Sequence, residues 1–421
     1  MTGILLFAAF FFLLFLGLPV GFAIALASLA AILHADLPMA VFMQRMYFGL
    51  DSFPLMAVPL FMLAGTLMGY GGITRRIISL ALAFLGNIQG SLAHVVAVSG
   101  MILGSISGSG VANIAALGSI MVPEMKKRGY DPGFSAALVA TTGINGLILP
   151  PSIAIIIYGV ATQTSIGDLF MAAVGPGLLI GALILGYSYY YTKKMGYPKE
   201  GKVAWSERLS RLRESIWALM MPILLIGGIY LGVFTPTEAG AIVSMYAFLI
   251  GMFIYKEIKI KDIPKICLEA ALSTAVIAMI IAGTSLFGWL MSIEQIPRAI
   301  SGFMLSLTDN RIILLLLINL LMLIIGMFLD SGPKIMLFAP IFAPVALSLG
   351  MDLLQFGVIV VINAAIGLLV PPVATGLFVA SSVSGVPLAT LAKRLVPFFG
   401  LMLIVLMMVT FIPAMTMWVV R

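Results

Sequence analysis

The chain is 421 residues long, with 62% hydrophobic side chains, 9% charged ones and a mean hydropathy of +1.18. Soluble domains carry roughly 25% charged residues, so this sequence cannot clothe a water-facing surface and reads as an integral membrane protein. The formal net charge of +7 is no nucleic-acid signal, because the charges are confined to short segments between apolar runs; one cysteine, Cys267, excludes an intramolecular disulfide, and with only two histidines a structural zinc site is not expected.

The apolar runs are continuous rather than alternating, so they predict helices and not a barrel. The first, Gly3 to Leu33, lacks a basic leader and is too long for a signal peptide; a split at Gly17-Leu18-Pro19 gives spans near 4–18 and 20–33 and an outside N-terminus. A third span is expected at 52–70, then a connector from Ile73 to Gln89 lying on the cytoplasmic surface through Arg75 and Arg76. Ser91 to Gly104 is too short to cross: its length as helix is ~21 Å against ~30 Å of hydrocarbon. A re-entrant hairpin is therefore predicted over about 91–125, turning at SISGSG, Ser105 to Gly110. A helix over about 133–165 follows, broken at GINGLILPPS, Gly143 to Ser152, and a closing span ends the first half at 195. The polar stretch 196–214 reads as a cytoplasmic linker, solvated or lying at the headgroups. Beyond it come spans near 215–234, 239–255 and 266–291 and an outer connector from Pro297 to Asp309. A second hairpin over about 311–349 turns at Asp330-Ser331-Gly332-Pro333, and a second broken helix over about 353–384 is interrupted at AAIGLLVPPV, Ala364 to Val373. This hairpin rests on symmetry, since Ile312 to Leu329 could cross alone.

Charge fixes the orientation. Of 23 Lys and Arg, 18 fall in five segments: Arg75–Arg76, Lys126–Arg128, Lys193–Arg213, Lys256–Lys265 and Lys393–Arg394. The positive-inside rule makes these cytoplasmic. Asp36, Asp51, Asp168, Glu238, Glu294, Asp309 and Asp352, with Arg45, Arg298, Arg311 and Arg421, belong outside.

The halves repeat. At a spacing of 221 residues Pro123 falls on Pro344, Gly129 on Gly350, Asp131 on Asp352, Gly146-Leu147 on Gly367-Leu368, and Pro150-Pro151 on Pro371-Pro372. The turn at Lys126–Asp131 is basic, whereas its counterpart at Leu349–Leu353 is acidic, so equivalent turns lie on opposite sides of the membrane. The expected fold is an all-α polytopic protein of two inverted-topology repeats, 1–195 and 215–421.

Non-helical backbone at membrane depth persists only where protein or water satisfies it. Carbonyls ending a half-helix before a proline carry the negative end of its dipole and suit a hard cation. The candidate Na⁺ ligands are Ser105, Ser107, Gly108, Thr141, Thr142, Asn145, Gly146 and Pro150 in the first half. Those of the second are Asp330, Ser331, Gly332, Asn363, Gly367 and Pro371. Mostly neutral oxygens favour Na⁺ over Mg²⁺ or Ca²⁺. Positive half-helix N-termini near Val111, Ser152 and Lys334 suit an anion, with Ser109, Asn113, Ser152, Lys334 and Thr375 as candidate substrate contacts. Alternative readings have Asp330 paired with Lys334 or capping its helix, and Glu238 as an exposed loop residue or cap.

The run from Gly104 to Gly159, with its Gly-Ser-Gly-X-X-Ala-Asn tip, its Met-Lys-Lys-Arg-Gly-Tyr turn and its paired prolines, closely resembles the large membrane subunit of tripartite ATP-independent periplasmic (TRAP) transporters. The resemblance extends over the whole chain. It implies an elevator-type secondary transporter of the bacterial inner membrane, importing an organic acid such as a C4-dicarboxylate, 2-keto acid or sialic acid by Na⁺ symport. It further implies a separate small membrane subunit and a periplasmic binding protein as partners. It carries Na⁺ coordination onto Ser105, Ser107 and the backbone near Gly146–Pro150 and Gly367–Pro371. Besides Na⁺ and membrane lipid, no cofactor or nucleic acid is expected. A stand-alone Na⁺- or H⁺-coupled carboxylate transporter is the near alternative and an ion channel the distant one. An enzyme is disfavoured because no catalytic Ser/His, paired-Asp or His-Glu-X-X-His pattern is present.

Overall fold

Among the described residues most helices are placed by a cap, a proline or a glycine. The computed structural model describes residues 1–201 and 203–419; Lys202 and Arg421, counted above among the basic residues, and Val420 lie outside the described residues. The first half contains α1 (Thr2–Phe15), α2 (Val20–His34), α3 (Ala40–Leu50), α4 (Ala57–Tyr70), α5 (Ile73–Leu85), α6 (Ser91–Ser107), α7 (Gly110–Lys127), α8 (Pro132–Asn145), α9 (Ile153–Thr162) and α10 (Ile166–Met195). The second contains α11 (Trp205–Tyr230), α12 (Pro236–Leu249), α13 (Ile263–Ile293), α14 (Ile296–Leu307), α15 (Arg311–Gly326), α16 (Ser331–Ser348), α17 (Leu353–Gly367), α18 (Thr375–Ser384) and α19 (Leu388–Phe411).

Gly17, at a φ of 85°, ends α1, and Pro19 caps α2, so the first apolar run is two helices packed on each other. Asp131 accepts a hydrogen bond from the Phe134 N–H at 3.0 Å and starts α8; Asp352 accepts one from the Leu354 N–H at 2.8 Å and starts α17. At the start of α12, Thr235 and Glu238 form a reciprocal capping box, which gives Glu238 a structural task. Two features differ from the sequence reading. The amphipathic helix α3 fills a stretch to which no element was assigned, and α11 begins at Trp205 rather than at 215, so half of the polar linker is helix. The Glu207–Arg211 and Arg211–Glu214 ion pairs run along that helical extension.

Seven helical stretches among the described residues are long and apolar enough to cross a bilayer. Packing sorts the helices into two groups. One holds α1–α4 and α11–α13, where α4 packs on α12 and α13 packs on α2, while α5 and α14 bridge to the other through α6 and α16. The other holds α6–α10 and α15–α19, where α7 packs on α8 and α18 while α16 packs on α17 and α9. Its centre is α8 and α17, buried from Gly133 to Asn145 and from Gln355 to Gly367. A helix apolar on every face needs such a place.

On the face carrying the basic turns, Asp131 pairs with Arg394, and Lys126 donates to the Ser384 carbonyl, tying α7 and α8 to α18 and α19. Beside them Tyr130 stacks on Tyr197 at 4.2 Å, and burial pushes its phenol up to about 12. At the other end of the group the Tyr158 hydroxyl donates to the Leu353 carbonyl at 2.9 Å.

Close backbone contact joins each hairpin to its broken helix. A methyl group on Gly367 would lie 2.8 Å from the Gly326 carbonyl oxygen, and one on Gly104 would overlap the Gly146 Cα. Gly367→Ala is therefore expected to cost about 1–3 kcal/mol by overpacking, seen as a lower thermal midpoint in detergent. Gly400→Ala, on an open face of α19, should leave the midpoint unchanged or slightly raised.

Candidate functional site

The two hairpin tips and the starts of the two half-helices beyond the breaks meet at one cavity of about 520 Å³. The first tip contributes Gly108 to Val111, the second Asp330 to Pro333, and α9 and α18 contribute Ile153 and Thr375. The opposite wall is Met62 of α4 and the α13 face from Ser273 to Ile281. Four helix N-termini, those of α7, α9, α16 and α18, thus converge on one space. Each carries a partial positive charge of about half a unit. Among the described lining residues Asp330 is the only charged side chain.

Local chemistry holds each tip in place. Gly108 turns the chain at a φ of 61°, a conformation that glycine adopts without cost. The Ser109 hydroxyl accepts from the Ala112 N–H at 3.4 Å and caps α7, while the Ser107 hydroxyl accepts from the Ser109 N–H at 3.5 Å. The first break is tied to this tip by the Ile153 N–H, which donates to the Gly108 carbonyl at 3.4 Å. Ser152 spans the break: its hydroxyl donates to the Leu147 carbonyl and accepts from the Ile155 N–H at 3.3 Å. The second break is tied to its hairpin in the same manner, by the Val373 N–H donating to the Met327 carbonyl at 3.0 Å. Both proline pairs contain a cis peptide bond. Asp330 caps α16 by accepting from the Ser331 N–H at 2.9 Å, and it accepts from the Thr375 hydroxyl at 3.5 Å.

Of the residues singled out in the sequence, Gly108, Ser109, Asp330, Ser331, Gly332 and Thr375 are brought together on the cavity. Ser107, Ser109 and Asn113 line an adjoining hollow of about 450 Å³ that runs past Thr66 to Tyr70, Thr74 and Glu269. Ser105 and Pro150 line a separate hollow of about 320 Å³ beside Leu178 and Ile226, and the Ser105 hydroxyl donates to the Ile102 carbonyl at 2.8 Å. Thr141, Thr142, Asn145, Gly146 and Ser152 are buried off the cavity, as are Asn363 and Gly367, whereas Pro371 is exposed. Lys334 also points away from the cavity. It is fully buried, is not ion-paired to Asp330, and donates to the Asn363 side-chain oxygen at 3.1 Å.

Sequence reasoning missed the wall formed by Met62, Gly65 and the Ser273–Ile281 face, because an apolar residue facing a cavity and one facing lipid read alike. The repeated Ala64-Gly65-Thr66 signal pointed to one part of it, since a methyl group on Gly65 would touch the Ser107 backbone at 3.6 Å. It missed Asn319 as well, which lies inside an apolar run.

The sequence profile of the DctM component of tripartite ATP-independent periplasmic transporters matches residues 7–415. The chain belongs to this family. It is 41% identical over 415 residues to the isethionate TRAP transporter permease protein DctMQ of Oleidesulfovibrio alaskensis, a match covering 98% of this chain and 65% of that longer protein. It is 38% identical over 406 residues to the sialic acid TRAP transporter large permease protein SiaM of Vibrio cholerae, covering 96% and 95% of the two chains. It is also 38% identical over 367 residues to the C4-dicarboxylate TRAP transporter large permease protein DctM of Pseudomonas aeruginosa, covering 87% and 86%. The fold matches the YdaH transporter of Alcanivorax borkumensis with a TM-score of 0.60 at 17% identity, over 85% and 84% of the chains. It matches MtrF of Neisseria gonorrhoeae at 0.61 and 13%, over 92% and 86%. This TRAP permease is thus a multi-pass inner-membrane transport protein and not an enzyme.

The cavity makes an accessibility prediction. In a Cys267→Ser background, Ser109→Cys and Thr375→Cys should react with a water-soluble maleimide in detergent. Ser152→Cys, fully buried within the break, should react only after denaturation. Equal labelling at all three positions would contradict the geometry.

Proposed function

We propose that this permease imports a small organic acid anion by symport with Na⁺, taking the anion from a periplasmic binding protein and working with a separate small membrane subunit. The observation that carries the reading is the convergence of four helix N-termini and one carboxylate on a single cavity between the two hairpins. Helix N-termini attract anions. Asp330 repels them, and that opposition supplies coupling. A sodium ion at the Asp330 carboxylate, beside the Thr375 hydroxyl, neutralises the charge an incoming anion would otherwise face. Each ligand then raises the affinity for the other, as linkage requires. The relatives described as carrying isethionate, sialic acid and C4-dicarboxylates all handle organic anions, which supports the substrate class.

The paired packing supports an inverted repeat: α4 on α12 against α13 on α2, and α7 on α18 against α16 on α9. In an elevator mechanism the group built on α8 and α17 slides against the group holding α4 and α13, and the cavity lies on that boundary. The adjoining hollow reaches Tyr70 and Glu269, close to the basic cytoplasmic Lys265, so this conformer opens inward.

The test is uptake by proteoliposomes holding the permease and its small subunit, with the cognate binding protein added or omitted and Na⁺ or choline outside. Isethionate, sialic acid and a C4-dicarboxylate are the first solutes. Uptake requiring both Na⁺ and the binding protein is expected; uptake without the binding protein would favour a stand-alone transporter. Asp330→Asn keeps an acceptor for Ser331 but loses the charge. One charge-assisted contact is worth about 1.5–3 kcal/mol, so Na⁺-driven uptake should fall ~10–100-fold with expression intact. Wild-type uptake would remove Asp330 from the site.

A further inference from the structure

We infer that the Lys334 ammonium is a tethered cation, built into the second half at the place where the first half presents unpaired oxygens suited to a free one. The inference rests on the sodium-coupled reading above.

The two seams between hairpin and broken helix are built alike. Gly104 packs on Gly146 in the first and Gly326 on Gly367 in the second. At the 221-residue spacing Lys334 stands on Asn113, and Asn363 stands on Thr142. In the first seam Asn113 donates to the Gly100 carbonyl at 2.9 Å and to the Gly143 carbonyl at 3.4 Å. Its own oxygen, the Thr142 hydroxyl and the Asn145 oxygen are buried without a partner among the described residues. Buried oxygens of this kind are costly unless something electropositive meets them.

In the second seam an amino group already stands at that place. Lys334 is fully buried and donates to the Asn363 oxygen at 3.1 Å. The Asn363 amide donates to the Asn319 side-chain oxygen at 3.1 Å, the Asn319 amide to the Thr410 hydroxyl at 3.2 Å, and that hydroxyl to the Leu406 carbonyl at 2.7 Å. Every link turns its oxygen toward Lys334. Such a chain polarises in one direction and stabilises positive charge at its head. No carboxylate forms an ion pair with Lys334 among the described residues, so neutral dipoles carry the ammonium, the ligand chemistry that also suits Na⁺. Where Gly326 meets Gly367, beside Asn363, the second seam therefore takes up no free ion, apart from the sodium proposed at the Asp330 carboxylate on the cavity, and the permease couples to one sodium fewer than two symmetric seams would provide.

The experiment is equilibrium binding of radioactive sodium to the purified full chain in choline chloride, with thermal midpoints measured in parallel. Lys334→Ala removes the ammonium and leaves the Asn363 oxygen exposed to the space. The variant is expected to bind about one further sodium per chain than wild type and to gain midpoint with added Na⁺ or methylammonium as mass action requires. Methylammonium should displace only the added ion. If Lys334→Ala does not purify, Lys334→Asn carries the residue with which the first half folds at this position. A variant with an unchanged sodium count and a midpoint indifferent to methylammonium would overturn the inference. A wild-type chain that binds no sodium would overturn the coupling ion instead, and the methylammonium response of the variant would still decide the role of Lys334.

Discussion

Backbone N–H and C=O groups inside a bilayer have no water to bond, and each unmatched one costs several kcal/mol. That constraint bears on this protein because its described residues stop being helical at the two hairpin tips and the two proline breaks, among apolar helices. The two proline breaks find partners within the protein. The Ile153 N–H reaches back to the first hairpin tip and the Val373 N–H to the end of the second hairpin's first arm. Ser152 closes on Leu147, and the Asn145 amide holds the Gly177 carbonyl at 3.1 Å. The breaks survive because hairpin and broken helix serve as hydrogen-bond partners to each other, which is why glycines meet glycines where they touch.

Once the chain is broken at that depth, its electrostatics follow. A continuous helix presents its dipole ends to the headgroups; these half-helices present theirs to the interior, where little water screens them. In the proposed mechanism, four positive ends around one carboxylate favour an anion only with a cation beside it. The wall from α4 and α13 places no charged side chain on the cavity, so the proposed mechanism assigns selectivity and coupling to the hairpins and half-helices.

The helix breaks were legible in the sequence because prolines and glycines are unambiguous at low polarity: the paired prolines at Pro150 and Pro371 could not continue a helix, and α8 and α17 end before them. Side-chain direction was not legible. Lys334 follows Asp330 by four residues and reads as its ion-pair partner, yet Asp330 bends back to cap its own helix while Lys334 turns to Asn363. Ser105 and Pro150 share a lateral hollow among α6, α10 and α11 rather than the central cavity, a separation invisible in a linear spacing. Helix α3 was missed because Gln44 and Arg45 interrupt an otherwise apolar run.

The central claim is that both hairpin tips and all four half-helix N-termini enclose one binding space. A single-particle density map of the permease with its partners, recorded in sodium chloride with an organic acid that it transports, tests this most directly. The account predicts anion density between Ser109 and Thr375, with a compact peak at Asp330 that is absent in choline chloride. Hairpin tips facing lipid, or an anion bound away from these helix ends, would contradict it.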